Sequence, residues 1–174
     1  MDTVQIELLN RRHAHQLWKF EQENRSFFEA TLPTRGDAYY EWDTFVQTLK
    51  GLEDEQRAGT CYMYIIRSEH GDIVGRVNLF SIVGEPVWGG ELGFRMGERH
   101  QRRGYATAAV RLVVEKAFAV HGLHRLEAGT SPANVGAQVV LIKNGFQYVG
   151  RAHEVLRINN VWQNSLLFEK INRA

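Results

Sequence analysis

Apolar and polar positions along this chain follow two periods, and the switches between them mark the elements. Val4–Leu8 alternates and reads as a short strand. Residues 13–24 read as a helix, with Leu17, Phe20 and the stem of Trp18 on its apolar side. Residues 25–36 hold the Phe27-Phe28 pair and Pro33 and read as a loop or broken helix. Asp37 is placed to N-cap the next helix, along which Tyr39, Trp42, Phe45, Val46, Leu49 and Leu52 recur at helical spacing. Residues 60–68, rich in aromatic and β-branched side chains, predict a strand. Glu69-His70-Gly71-Asp72 is a turn signal and residues 73–82 the antiparallel return. Gly84, Pro86, Gly89 and Gly90 interrupt the chain before a strand at residues 91–96. The clearest helix spans residues 104–120, with Ala106, Ala109, Val110, Val113, Ala117 and Phe118 on one face and Gly122 placed to cap its end. A strand at 124–130 and a helix at 134–143, closed by Gly145, come next. Strands at 146–156 and 161–169 are joined around Asn159-Asn160, a dipeptide tolerant of positive φ.

The order β-α-α-β-β-β-α-β-α-β-β places a three-strand meander before a strand–helix–strand crossover. Such a crossover requires a parallel pair, joined with right-handed sense. A mixed α/β (α+β) sheet with helices on both faces is expected. The chain shows no repeat and no low-complexity linker, so one domain over residues 1–174 is expected.

Composition narrows the function. The sequence is 44% apolar and 24% charged, which suits a packed core rather than disorder. A net charge of +1 argues against a protein whose main work is coating nucleic acid. Cys61 stands alone in an apolar run and reads as a buried thiol. His13 and His15 are two residues apart on a helix, a poor geometry for one metal, and no metal site is expected. His121 and His124 flank Gly122 and read as helix-end caps. The N-terminal MDTVQIELLN lacks a basic segment followed by a long apolar run, and no signal peptide is expected. No stretch approaches the roughly 20 apolar residues of a membrane span, so a cytoplasmic protein is the expectation.

Candidate chemistry lies between the strand Glu91-Leu92-Gly93-Phe94-Arg95-Met96 and the helix opening at Gly104. The first N–H groups of a helix have no intrahelical acceptor, and the positive end of its dipole points the same way. Such a terminus suits a phosphate or pyrophosphate. Gly104 and Ala106 leave room for close approach, and Arg102 and Arg103 add positive charge. An ordinary strand-to-helix turn with a solvated basic rim fits the same residues. No G-x-x-x-x-G-K-[S/T] is present, and no G-x-G-x-x-G follows the first strand, so neither a P-loop nor a dinucleotide fold is supported.

Gln101-x-x-Gly104-x-Ala106 resembles the acetyl-CoA loop of the GNAT superfamily of N-acetyltransferases, and Glu91-Leu92-Gly93-Phe94 resembles its central strand. Asn134, eleven residues before Gly145-Phe146, matches the spacing of that family's second cofactor-side motif. The ending with Trp162-Gln163-Asn164 resembles the final hairpin of the ribosomal-protein N-terminal acetyltransferase (Rim-type) branch, where Trp-x-Asp is frequent. The resemblance covers essentially the whole chain. It implies a seven-stranded, mostly antiparallel sheet with a central splayed parallel pair. It implies acetyl-CoA as cosubstrate, with pantetheine along Phe94, Arg95 and Met96 and pyrophosphate on the backbone of Gln101, Arg102, Arg103, Gly104, Tyr105, Ala106 and Thr107. Asn134 would touch the cofactor from the other side.

The resemblance also implies direct acyl transfer to an amine, with Glu91 as general base; from the residues alone, Glu91 pairing with a surface arginine fits as well. The acceptor, a peptide N-terminus or a small amine, would lie among Arg25, Phe27, Arg157 and Trp162, while Phe28 reads as core. Two positions depart from the family: Ile142 stands where many relatives have a Tyr, and Ala137 where Rim-type relatives often have a Ser. These departures keep a non-catalytic CoA-binding module in view. A nucleic-acid binder using residues 99–103 is disfavoured, because no stacking aromatics cluster there. Relatives occur as monomers and homodimers, and either is expected.

Overall fold

The computed structural model describes residues 3–173. The elements run β1 (Val4–Leu8), a 3-10 turn (Arg11–His13), α1 (Ala14–Glu23), α2 (Arg25–Glu29), a 3-10 turn (Asp37–Tyr40), α3 (Trp42–Ala58), β2 (Tyr62–Ser68), β3 (Ile73–Val83), β4 (Gly89–Met96), a 3-10 turn (Glu98–His100), α4 (Tyr105–Ala119), β5 (Arg125–Thr130), α5 (Val135–Lys143), β6 (Gln147–Ile158) and β7 (Val161–Ile171). Seven strands form one sheet in the order β1-β2-β3-β4-β5-β7-β6. Every neighbouring pair is antiparallel except β4 and β5. The mixed sheet expected from the element order is therefore present, and its crossover through α4 makes the parallel pair.

Strand periodicity assigns the two faces. In β2, Tyr64 and Ile66 join one buried cluster, while Met63 and Ile65 join the other. The first cluster packs the sheet against α4 and α5 through Tyr105, Ala109, Val110, Val113, Ala117 and Leu141. The second sets Leu17 and Phe20 of α1, Phe28 of α2, and Phe45 and Leu49 of α3 against the opposite face. Cys61 is buried, as its apolar setting suggests, and burial pushes its thiol pKa up. No helix among the described residues is long and apolar enough to cross a membrane.

Three local expectations are corrected or refined. Asp37 does not cap α3; it opens the 3-10 turn and its carboxylate takes Arg25 Nη2 at 2.5 Å, while Glu41 is the residue before α3. The 3-10 turn and the extended Glu41 separate it from the first turn of α3, beyond the reach of a cap. His121 does not cap α4: its Nε2 lies 2.6 Å from the Tyr64 hydroxyl and its ring stacks on Tyr62 at 3.6 Å. Both final strands run longer than the alternation suggested, because Asn159 (φ 48°) and Asn160 (φ 64°) make a tight two-residue turn between them.

Candidate active site

Backbone pairing between β4 and β5 covers only Gly89 to Glu91 against Arg125 to Glu127. Beyond that point both strands continue, β4 to Met96 and β5 to Thr130, without pairing to each other. β4 stays paired to β3 as far as Met96, so the edge it leaves open over residues 92–96 faces β5. The result is a V-shaped cleft with unpaired backbone amides on one wall. An extended amide-bearing ligand has there the partners that a neighbouring strand would otherwise supply.

The loop from β4 to α4 borders the open end of this cleft. Gln101 turns its side chain inward, donating from Nε2 to the Met96 carbonyl at 3.0 Å. It therefore braces the loop on the strand end. Asn24, at the end of α1, accepts from Glu98 N at 2.8 Å and holds the loop from the other side. Arg102 has φ 60° and Gly104 φ 78°. Left-handed residues alternating with ordinary ones turn successive N–H groups toward one point, a nest for an anion. Among the described residues no side chain caps α4 at Gly104, so its first N–H groups remain available beside that nest. Arg102 and Arg103 are exposed at the rim. Tyr105 and Met96 are buried in the core, and only their backbones can meet a ligand. Phe94 packs partly into the core on the α4 side. Asn134 caps α5, its Oδ1 accepting from Ala137 N at 3.1 Å.

Glu91, Gly93 and Arg95 face the other side of the sheet, away from α4, as the burial of Leu92 and Met96 on the α4 side requires. Glu91 sits where the strands part. It lines a cavity of about 260 Å³ with Arg125, Glu127, Gly129, Ser165 and Leu167. Arg125 spends its guanidinium on Glu127 (2.7 Å) and Glu169 (2.9 Å), and among the described residues Glu91 has no ion pair. Ser165 lies so close to Gly129 that a Cβ there would come within 2.9 Å of its hydroxyl. Any larger residue at position 129 would close the cavity beneath Glu91. Ser165 carried no signal in the sequence, since its place depends on the β5–β7 register.

The four residues expected around the acceptor fall into two groups that meet. Arg25 is neutralised by Glu29 (3.0 Å) and Asp37 (2.5 Å) and stacks over Tyr40 at 4.2 Å, so little of its charge is free. Phe27 packs against Phe28, which is buried. Arg157 and Trp162 are opposite each other in the β6–β7 hairpin, and Trp162 is exposed. The hairpin tip approaches α2, Asn159 Nδ2 lying 3.5 Å from the Glu29 carbonyl. Asn164 holds a bulge in β6 by accepting from Glu154 N at 3.0 Å. A carboxylate could make the same bond, which accounts for Asn or Asp in that hairpin. Ala137 lies in the first turn of α5 and Ile142 is exposed near its end. Among the described residues no cluster of His, Cys, Asp and Glu could hold a metal.

A network absent from the sequence reading lies on the Glu91 side. Glu21 of α1 is fully buried and binds Arg76 of β3 and, at 2.9 Å, Arg35. Burial pushes its carboxyl pKa up, but the charges of Arg76 and Arg35 outweigh this and hold it below the ordinary carboxylate value. Arg95, opposite Arg76 in the β3–β4 register, stacks over Phe28 at 5.0 Å. Burial, with the cations Arg35 and Arg76, presses its pKa down to about 10.

Residues 5–147 match the family described as Acetyltransferase (GNAT) domain. A probable N-acetyltransferase of Bacillus subtilis, YjcK, is 32% identical over 98% of this chain and 94% of its own length. Among solved structures, the ribosomal-protein-S5-alanine acetyltransferase of Vibrio fischeri superposes with a TM-score of 0.93 at 24% identity, covering 99% of this chain and 97% of that one. Mycobacterium smegmatis RimJ, solved in complex with CoA-disulfide, superposes with a TM-score of 0.90 at 22% identity, covering 97% of this chain and 82% of that one. At such identities the two structures speak for the fold.

Proposed function

The chain belongs to the GNAT acetyltransferase family, and from that premise we propose that it transfers the acetyl group of acetyl-CoA to the N-terminal α-amine of a protein. The observation that carries this reading is the parting of β4 and β5 immediately beyond Glu91, beside the uncapped start of α4. Acetyl-CoA is a substrate and supplies the acetyl group as a thioester. Its pyrophosphate fits the nest from Arg102 to Gly104 and the first N–H groups of α4, with Arg103 at the rim. Its amide-bearing arm fits the open edge of β4 at Phe94, Arg95 and Met96. Asn134 stands at the start of α5 and contributes from the far wall.

The acceptor amine approaches from the Glu91 side, bounded by Phe27 and by Arg157 and Trp162 of the hairpin. Glu91 takes the proton that the amine must lose as it attacks. A free N–H on the open edge of β4 stabilises the negative charge developing on the thioester oxygen. Neither Ala137 nor Ile142 can protonate the departing sulfur, but a thiolate with a pKa near about 8.5 leaves without a donor. The Rim-type likeness of the hairpin and the S5-alanine enzyme among the fold neighbours support a protein N-terminus over a small amine.

The test is thermal unfolding with and without acetyl-CoA, on the wild type and on Gly104→Asp. A ligand at about 100 times its Kd adds roughly 2.7 kcal/mol. Aspartate tolerates positive φ, so the variant is expected to fold. It places a carboxylate where phosphate is expected, and the ligand-induced rise should vanish. No rise in the wild type at millimolar acetyl-CoA would overturn the proposal. Mass spectrometry of N-terminally free peptides after incubation then tests the acceptor class.

A further inference from the structure

We propose that the acceptor carries a carboxylate one or two residues beyond its reactive amine, and that Arg95, backed by Arg35 and Arg76, binds it. This rests on the transfer reading above and specifies its acceptor.

Three guanidinium groups gather on the Glu91 side of the sheet around a single buried carboxylate. Glu21 gives one oxygen to Arg76 and the other to Arg35. Both oxygens are thereby engaged, and Arg95 has no hydrogen bond or ion pair with any described residue. Its guanidinium lies over the face of Phe28. Three cations against one anion leave two positive charges uncompensated in a half-buried setting, where an anionic ligand would be held strongly. Tyr39 accepts from Arg35 at 2.7 Å and brings no carboxylate to the cluster. Glu55 lines the adjoining cavity and makes no ion pair with any of the three arginines.

That cavity, about 330 Å³, is also lined by Arg35, Tyr39, Arg76, Asn78 and Phe80. Arg76 is buried, and its Nε has no hydrogen-bond partner among the described residues; nor has the buried Oδ1 of Asn78. An unpaired donor and an unpaired acceptor beside one cavity are the features of a binding subsite rather than of a finished core. The depressed pKa of Arg95 fits a cation crowded by others and still charged at neutral pH.

The spacing selects the ligand. Glu91 and Arg95 lie on one face of β4, four residues or about 13 Å apart along the strand. Less the reach of the two side chains, this is the span of two or three extended residues at about 3.4 Å each. A peptide with an acidic residue in its second or third position meets both groups at once, with its amine at Glu91 and its carboxylate at Arg95.

Two N-terminally free tetrapeptides test this, Ala-Glu-Ala-Ala and its neutral counterpart Ala-Gln-Ala-Ala. Each is titrated calorimetrically into the protein with CoA present and assayed separately for acetylation. The acidic peptide should bind at least tenfold more tightly and show the difference in KM rather than in kcat. The preference should fall as salt rises, disappear in Arg95→Gln and survive in part in Arg95→Lys. Equal binding of the two peptides by the wild type would overturn the proposal, as would no binding of the acidic one. A preference that persists in a folded Arg95→Gln protein would also overturn it. Failure of the transfer reading looks different: acetyl-CoA then gives no thermal rise, whatever the peptides do.

Discussion

On the α4 side of the sheet, Val77, Leu79, Leu92, Val110, Val113 and Leu126 meet side chain to side chain and are buried together. On the α1–α3 side, Phe45, Leu49 and Ile65 do the same, but Glu21 and Arg76 are buried among them. Apolar packing needs only volume and pattern, and it makes the α4 side a rigid wall for the cleft. A buried ion cluster needs every partner in place and returns little net stability, because desolvation offsets the attraction. The contrast assigns the two faces different work. On the proposed function, the α4 side holds the strands apart for the donor, and the α1–α3 side arranges charge for the acceptor.

The largest expected effect separates chemistry from packing altogether. Glu91→Gln should lower kcat by about 10²- to 10⁴-fold, the usual range for losing a general base. Its urea midpoint should match the wild type, since Glu91 holds no ion pair among the described residues. A kcat within a few-fold of wild type would remove Glu91 from the mechanism.

Stability probes the contrast directly. Glu21→Gln strands Arg76 in the interior and should cost about 3–5 kcal/mol. Leu126→Ala opens a cavity on the other face and should cost about 2–5 kcal/mol. The two differ in rescue. Adding Arg76→Met to Glu21→Gln should recover much of the loss, because the stranded charge is gone. Urea unfolding of the single and double variants measures this, and an additive double variant would contradict the ion-cluster account.

The smallest effect is in acid. Burial, with Lys116 nearby, holds the His121 pKa below 6.5 in the folded state. The unfolded chain therefore binds the proton first, so the stability this group contributes is complete above pH 6.5 and declines as pH falls below it. Protonation also fixes Nε2 as a donor to the Tyr64 hydroxyl. Glu21, whose folded pKa lies below the ordinary 4.5, contributes stability that is lost only further down, below that value. The α4 side should thus weaken first. Urea titrations at pH 7.5 and 5.5 should show a decline in the wild type that His121→Phe flattens.

Much of the local structure around the candidate site was legible because its parts are local. The start of α4 at Gly104, the Asn134 cap and the Asn159-Asn160 turn each depend on a few consecutive residues. Glu91 was expected at the head of a strand after a break at Gly89 and Gly90; those glycines belong to the strand, and Glu91 is its third residue. Glu21 was not, because between Phe20 and Gln22 it resembles any exposed helical carboxylate. Its partners lie 14 and 55 residues away. Arg25 was expected at the acceptor, yet Glu29 and Asp37 claim it, and only the fold brings Asp37 within reach. Arg95 was expected to contribute along the donor cleft. Strand alternation sends its side chain to the opposite face while its backbone remains at the cleft.

By itself, the sequence determined the order of the strands and of every helix but α2, the crossover that makes β4 and β5 parallel, and the helix opening at Gly104. Hydrophobic period, turn residues and backbone freedom act over a few residues and need no distant partner. The tertiary structure decided where β4 and β5 part, which face each side chain of β4 serves, and how three arginines share one glutamate. These follow from strand register and long-range packing, which bring together residues that have no relation along the chain.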